Sequence, residues 1–231
     1  MNTIIKTLTV LLVLTMVLFT SCEISPDPGF DGAIKGTVVD TLNNPVYADV
    51  TSNVLLINAL GERDKTETAI RVKGDGTYAN LKLYPKLYKI WVKGPVFLKE
   101  PSDTVRFDFS GGKVMEQNFT VVPFISLKIN LVEQPVDSLV KISYEIKGNR
   151  GKVPNTRELY CSTAPYPTKS TGTATTYKTV SIKLTNNNGQ TTITGLSRGK
   201  KYFIRVGANT SSINSDPMNY SNQIIVTTAP K

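Results

Sequence analysis

Residues 140–147 read Val-Lys-Ile-Ser-Tyr-Glu-Ile-Lys. Apolar side chains at Val140, Ile142, Tyr144 and Ile146 alternate with polar ones at Lys141, Ser143, Glu145 and Lys147. A repeat of two is the mark of a strand with one face in a core and the other in water, whereas a helix would repeat every 3.6 residues. No stretch sustains the helical repeat. Short alternating runs bounded by Gly, Pro, Asn and Asp recur along the chain, which predicts an all-β fold built of sandwiches. At 231 residues, 40% hydrophobic and 19% charged, the composition is that of a globular chain long enough for one large domain or two small ones.

Working outward, Val122-Pro123 divides the apolar runs, since proline cannot donate to a central ladder. Residues 32–122 and 123–231 are therefore expected to form two tandem β-sandwich domains. In the first, Ile34, Gly36 and Val38 alternate with Lys35 and Thr37. Asn43-Asn44-Pro45 turns the chain, Val50–Ile57 reads as a strand, and Gly74-Asp75-Gly76 is an Asp-Gly tight turn. Leu81, Leu83, Tyr88, Ile90 and Val92 supply further apolar positions. In the second, Ile125, Leu127 and Ile129 begin a strand and Ile224–Thr228 ends the fold. The polar stretch 168–179, TKSTGTATTYKT, reads as an exposed loop.

Residues 1–21 read as an address. Lys6 is followed by the apolar run Leu8–Phe19, too short to span a bilayer comfortably and matched to a signal-peptide core. Small residues Thr20-Ser21 precede Cys22, which resembles a bacterial lipoprotein cleavage site; the other reading is an ordinary secretory signal. The resemblance implies that Cys22 is lipidated and becomes the N-terminus, with residues 22–31, rich in Pro, Gly and acid, as a tether. The protein is then expected in the bacterial outer membrane, lipid-anchored, at the cell surface.

The chain has no histidine and two cysteines, which removes Ser-His-Asp and Cys-His mechanisms, histidine-ligated metals and thiolate cages. Cys161, in an alternating segment, reads as a small buried hydrophobe. Ser138-x-x-Lys141 would need one helical turn to bring its side chains together, and here the context is a strand. A two-carboxylate glycosidase needs no histidine, but no carboxylate pair can be placed across a cleft. The expectation is no enzyme, no metal and no cofactor.

Charge is uneven. Residues 32–122 hold 12 Lys+Arg against 10 Asp+Glu, and residues 123–231 hold 14 against 5. The basic half favours anions: acidic polysaccharide, lipopolysaccharide phosphate or an acidic protein, but not nucleic acid outside the cell. Its clusters are Lys147, Arg150, Lys152 and Arg157, and Arg198, Lys200, Lys201 and Arg205. They read as anion contacts or as a solvated basic surface. Trp91, the sole tryptophan, shares a strand face with Lys89 and Lys93. It could stack on a sugar with the lysines on hydroxyls or carboxylates, or lie covered by a loop or the second domain. Tyr166, stiffened by Pro165 and Pro167, suits a binding platform or packs on its own domain, and Tyr177 and Tyr220 read the same way.

The G-x-V-x-D…N-P-V…D-G-x-Y spacing of the first domain resembles transthyretin-like, carboxypeptidase-regulatory sandwiches, although Lys86-Leu87 stand where that family has a glycine before the tyrosine. Gly195 to Val206 resembles the E–F corner and F strand of fibronectin type III domains. That resemblance makes Leu196 a core plug and Tyr202 the corner tyrosine. The whole order of parts resembles Bacteroides-type surface lipoproteins associated with SusC/SusD-type glycan-uptake loci. It implies a non-catalytic glycan-binding or accessory protein of such a system. The alternative is an adhesive module that contacts an outer-membrane protein without binding sugar.

Overall fold

A computed structural model describes residues 29–49, 54–97, 104–133, 135, 137–169, 179–210 and 217–230. Cys22, Tyr177 and most of the polar loop lie outside the described residues. These residues form strands and no helix. The fold is all-β, as the alternating patterns require.

The first ten strands are β1 (Gly32–Val39), β2 (Leu56–Gly61), β3 (Thr68–Arg71), β4 (Thr77–Leu83), β5 (Leu87–Lys93), β6 (Val96–Phe97), β7 (Val105–Asp108), β8 (Val114–Glu116), β9 (Phe119–Thr120) and β10 (Val122–Pro123). One sheet has the order β4-β1-β8, with β9 also on β1, and a second has the order β3-β2-β5-β7. Both contribute to one apolar core that includes Ile34, Val38 and Tyr78 from the first and Ile57, Ile90 and Val92 from the second. Each such side chain, fully buried, contributes roughly 1.5–3 kcal/mol. β1 pairs β4 antiparallel but β8 and β9 parallel. Between β8 and β9 the chain crosses Gly36 so closely that a Cβ there would lie 1.8 Å from the Gln117 carbonyl oxygen.

Of the strand expected at Val50–Ile57, residues 50–53 lie outside the described residues; among the described ones the strand begins at Leu56 and runs to Gly61. Its ladder with β5 starts at Leu56↔Lys93. One residue beyond Lys93, Gly94 turns at φ +155, and a Cβ on it would meet the Val54 carbonyl at 2.6 Å. Residues 54 and 55 thus pass against Gly94, just beyond the end of β5, and stay outside its ladder. The Asp-Gly turn forms as expected: Gly76 has φ +87, and Asp75 Oδ1 accepts the Thr77 amide and hydroxyl at 2.9 and 2.7 Å.

The remaining strands are β11 (Ile125–Leu131), β12 (Val140–Gly148), β13 (Arg157–Ser162), β14 (Thr179–Lys183), β15 (Asn188–Ile193), β16 (Lys201–Ala208), β17 (Asn219–Tyr220) and β18 (Ile224–Thr227). They make sheets β11-β12-β15 and β14-β13-β16, with β17 and β18 on β16. Val140, Ile142, Tyr144 and Ile146 enter a second core with Leu159, Cys161, Leu196, Tyr202 and Ile204. The Tyr202 hydroxyl accepts the Ser197 amide at 2.9 Å, the bond that a corner tyrosine makes.

Burial pushes the Cys161 thiol up to about 12, so the native protein keeps it protonated while an unfolded chain ionises from about 9. Stability from this group is complete below the unfolded value and falls as pH rises toward the folded one. Native protein at pH 8 is expected to resist iodoacetamide at Cys161, with full labelling in denaturant; mass spectrometry of the tryptic peptide checks it.

Candidate functional site

Residues opposite one another in an antiparallel ladder share a face. Trp91 lies opposite Asn58, Lys89 opposite Leu60 and Arg106, and Lys93 opposite Leu56, which lies opposite Arg71. Inward neighbours Ile57, Ala59, Ile70, Tyr88, Ile90 and Val92 fill the core. The alternate positions therefore form the outer face of β3-β2-β5-β7. On it Lys89, Lys93, Arg71 and Arg106 are exposed and Trp91 is half-buried. The tryptophan sits among four cations drawn from three strands.

Asn58 lies beneath this surface, 2% exposed. Its Nδ2 donates to Glu67 Oε2, and Glu67 in turn lies 4.0 Å from Lys93 Nζ. The Asn58 Oδ1 acceptor is buried with no hydrogen-bond partner among the described residues. Asp108, also on this face, has its Oδ1 taken by the Ser110 amide and hydroxyl. Near the opposite end of β5, Glu62, Arg63, Asp64, Lys89 and Arg106 line a recess of about 300 Å³.

The other sequence-predicted residues do not converge on Trp91. Lys147, Arg150 and Lys152 are exposed in the second core's half of the molecule. The Arg150 guanidinium stands 5.3 Å from the Phe97 ring and Lys152 Nζ 4.8 Å from Phe124, and these two rings meet edge to face at 4.8 Å. Arg157 is spent on Asn187 Oδ1 and the Pro154 carbonyl. Arg198 is paired with Asp137 at 2.8 Å, Lys200 is exposed, and Lys201 lies 5.2 Å over Phe203.

Arg205 departs from a solvated basic cluster altogether: it is fully buried. Positions 202, 204 and 206 of β16 point into the second core, so Arg205 points from the opposite face, where residues 47–49 cover it. Its Nη1 donates to the Ala48 carbonyl at 3.2 Å and its Nε to the Ser221 carbonyl at 3.3 Å. Tyr220, Tyr47 and Tyr166 surround the guanidinium at 4.7, 5.8 and 5.8 Å. Burial pulls Arg205 down to about 10, against the raising influence of Tyr220 and Asp49, so it stays charged at neutral pH. Tyr220 donates to Asp49 Oδ2 at 3.3 Å.

Tyr166 belongs to this junction and not to an open platform, nor does it pack only on its own half of the molecule. Its ring lies against Gly74 of the Asp-Gly turn, where a Cβ would come within 2.4 Å of it. Asn219 Nδ2 and the Phe124 amide both donate to the Pro95 carbonyl, and β10 pairs β6, which further fastens the two halves. An adjoining cleft of about 380 Å³ is lined by residues of both halves, among them Asp40, Leu42, Tyr47, Lys128 and Asn222.

Among the described residues no three His, Cys, Asp or Glu are placed to hold a metal, and no helix is long and apolar enough to cross a membrane. No protein-family model matches the sequence, and no curated protein matches it. Solved structures do. A DUF3823 family protein from Bacteroides uniformis superimposes with TM-score 0.64 at 17% identity, covering 85% of this chain and 98% of that one. One from Parabacteroides merdae gives 0.63 at 17%, with 85% and 98% covered. A "putative carbohydrate binding protein" from Bacteroides uniformis gives 0.63 at 17%, with 85% and 99% covered. The chain shares the fold of these DUF3823 proteins over most of its length.

Proposed function

We propose that this protein is a non-catalytic glycan-binding protein of the bacterial cell envelope, and that it binds through the Trp91 face. The observation that carries this reading is a half-buried tryptophan on the outer face of a sheet, flanked by Lys89 and Lys93. An indole of this kind can cover the apolar face of a sugar ring while neighbouring donors bind its hydroxyls. The carbohydrate-binding description of a structural neighbour supports it. Lipidation at Cys22, a place at the outer-membrane surface and service to a SusC/SusD-type uptake system belong to the same proposal; mass spectrometry of the mature N-terminus tests the first of these.

Because Trp91 is the sole tryptophan, its emission reports on this face alone. Polysaccharides that retard the protein in affinity gels are expected to shift that emission. Trp91→Ala is expected to weaken retardation about tenfold, near 1.4 kcal/mol, with the far-ultraviolet dichroism unchanged. Retardation without any change in Trp91 emission would move the site elsewhere, and no retardation across a broad panel would end the reading.

A second reading has its own observation. Phe30 and Tyr84 stack at 4.2 Å and are 50% and 41% exposed. Such a patch suits a protein contact. Co-purification with an outer-membrane protein that survives Trp91→Ala but not Tyr84→Ser would favour the adhesive role.

A further inference from the structure

We infer that the Trp91 face selects polyanionic glycans, through a carboxylate or sulfate seat that Glu67 fills in the free protein. The inference rests on the glycan reading above and adds the charge of the ligand. Three observations meet here. First, the ladders gather Arg71, Lys89, Lys93 and Arg106 around one indole, although β3, β5 and β7 are distant in sequence. Lys89 and Arg106 are directly opposed, a costly placement for like charges that an anion relieves, whether Glu62 of the adjoining recess or one on a ligand. Second, the acids near these cations are fewer than the cations: Asp108 Oδ1 is taken by Ser110, Glu67 lies against Asn58 and Lys93, and Glu62 lines the recess beside Lys89 and Arg106. Third, the Glu67 contacts show what the spot accepts. An amide N–H from Asn58 and an ammonium from Lys93 converge on a carboxylate oxygen, the donor set that a uronate carboxylate or a sulfate ester would need.

The Glu67 side chain is 41% exposed and lies on the segment between β2 and β3, so it can leave without breaking a ladder. Its departure uncovers Asn58, whose unpartnered Oδ1 then accepts a sugar hydroxyl. A ligand anion takes the place of Glu67 on Asn58 Nδ2 and Lys93, with Trp91 beneath the ring and Arg71 and Arg106 on flanking anions of the same chain. Glu67 is thus a competitor for the seat, and removing its charge strengthens binding.

The test uses the purified protein with polygalacturonate, alginate and chondroitin sulfate, and with carboxyl-reduced polygalacturonate and dextran as neutral controls. The polyanions are expected to bind more tightly, and added salt to weaken them. Glu67→Gln is expected to tighten polyanion binding about threefold and leave the neutral polymers unchanged. The exposed pair Arg71→Gln with Arg106→Gln is expected to weaken polyanions about tenfold. Neutral and acidic polymers binding alike would overturn the charge assignment and leave the glycan reading standing. Glu67→Gln without effect, or with weaker polyanion binding, would overturn the seat. No polymer binding at all would overturn both.

Discussion

Arg205→Ala is expected to destabilise the protein by about 3–5 kcal/mol, the usual result of removing one partner from a buried charge network. The substitution strips donors from the buried Ala48 and Ser221 carbonyls and leaves a cavity ringed by Tyr47, Tyr166 and Tyr220. It also removes a positive charge that acts on Asp49, which is 5% exposed and accepts the Tyr220 hydroxyl. For a chain of this length the midpoint of thermal unfolding should fall by roughly 10 °C. Arg205→Lys should recover only part of the loss, because an ammonium cannot donate in two fixed directions while lying flat against rings. Arg205 stays protonated from acid to mild alkali, its value being about 10, so the deficit should be the same at pH 6 and pH 8. Calorimetry of the three proteins checks this. A shift of a degree or two for Arg205→Ala would mean that the junction is not closed in solution.

Gly36→Ala tests the first core in the same way. The added methyl would stand 1.8 Å from the Gln117 oxygen and 2.7 Å from its carbonyl carbon, both backbone atoms. No rotamer change relieves that contact, so β1 and the β8–β9 connection must part. Gln117 also donates its amide to the Lys35 carbonyl, and its own carbonyl accepts the buried Tyr78 hydroxyl at 2.6 Å. The expected loss is about 3 kcal/mol or more, at or above the upper end for overpacking. Gly111→Ala is the control: its φ is +75 but nothing lies within 4 Å, so about 1 kcal/mol is expected from backbone strain alone. The two cores share no residues, but residues 47–49 of the first half cover Arg205 of the second, so Gly36→Ala should loosen the first core most and pass a smaller part of the loss to the second. Hydrogen exchange resolved by peptide reads the two separately.

The pattern of alternation carried much of this architecture into view. Residues 140–146 bury as their repeat requires, and the Asp75-Gly76 turn and the Tyr202 corner are where local chemistry puts them. Those features depend on residues close in sequence. The Trp91 face is different. Lys89 and Lys93 were legible because they lie on the same strand as Trp91. Asn58, Arg71 and Arg106 were not, because only ladder pairing brings β2, β3 and β7 alongside β5. Alternation within β3 and β7 does turn Arg71 and Arg106 outward, but it does not say beside what. Arg205 shows the limit from the other side. Its strand position is readable as outward, and outward on an isolated sandwich means solvent. Here the other half of the molecule occupies that side. The start of β2 was misplaced because Gly94 decides where its ladder ends, and Gly94 is remote in sequence.

The parallel partnership of β1 with β8 and β9 has a mechanical consequence. The chain enters β1 at Gly32, and it leaves β9 at Thr120 directly toward the second core. A pull between the upstream segment and the second core drags β1 and β9 in opposite directions along their common axis. The hydrogen bonds joining them are then loaded together, in shear, and not one after another as in an unzipping hairpin. Tension applied between these two points is thus met by the bonds along β1 at once.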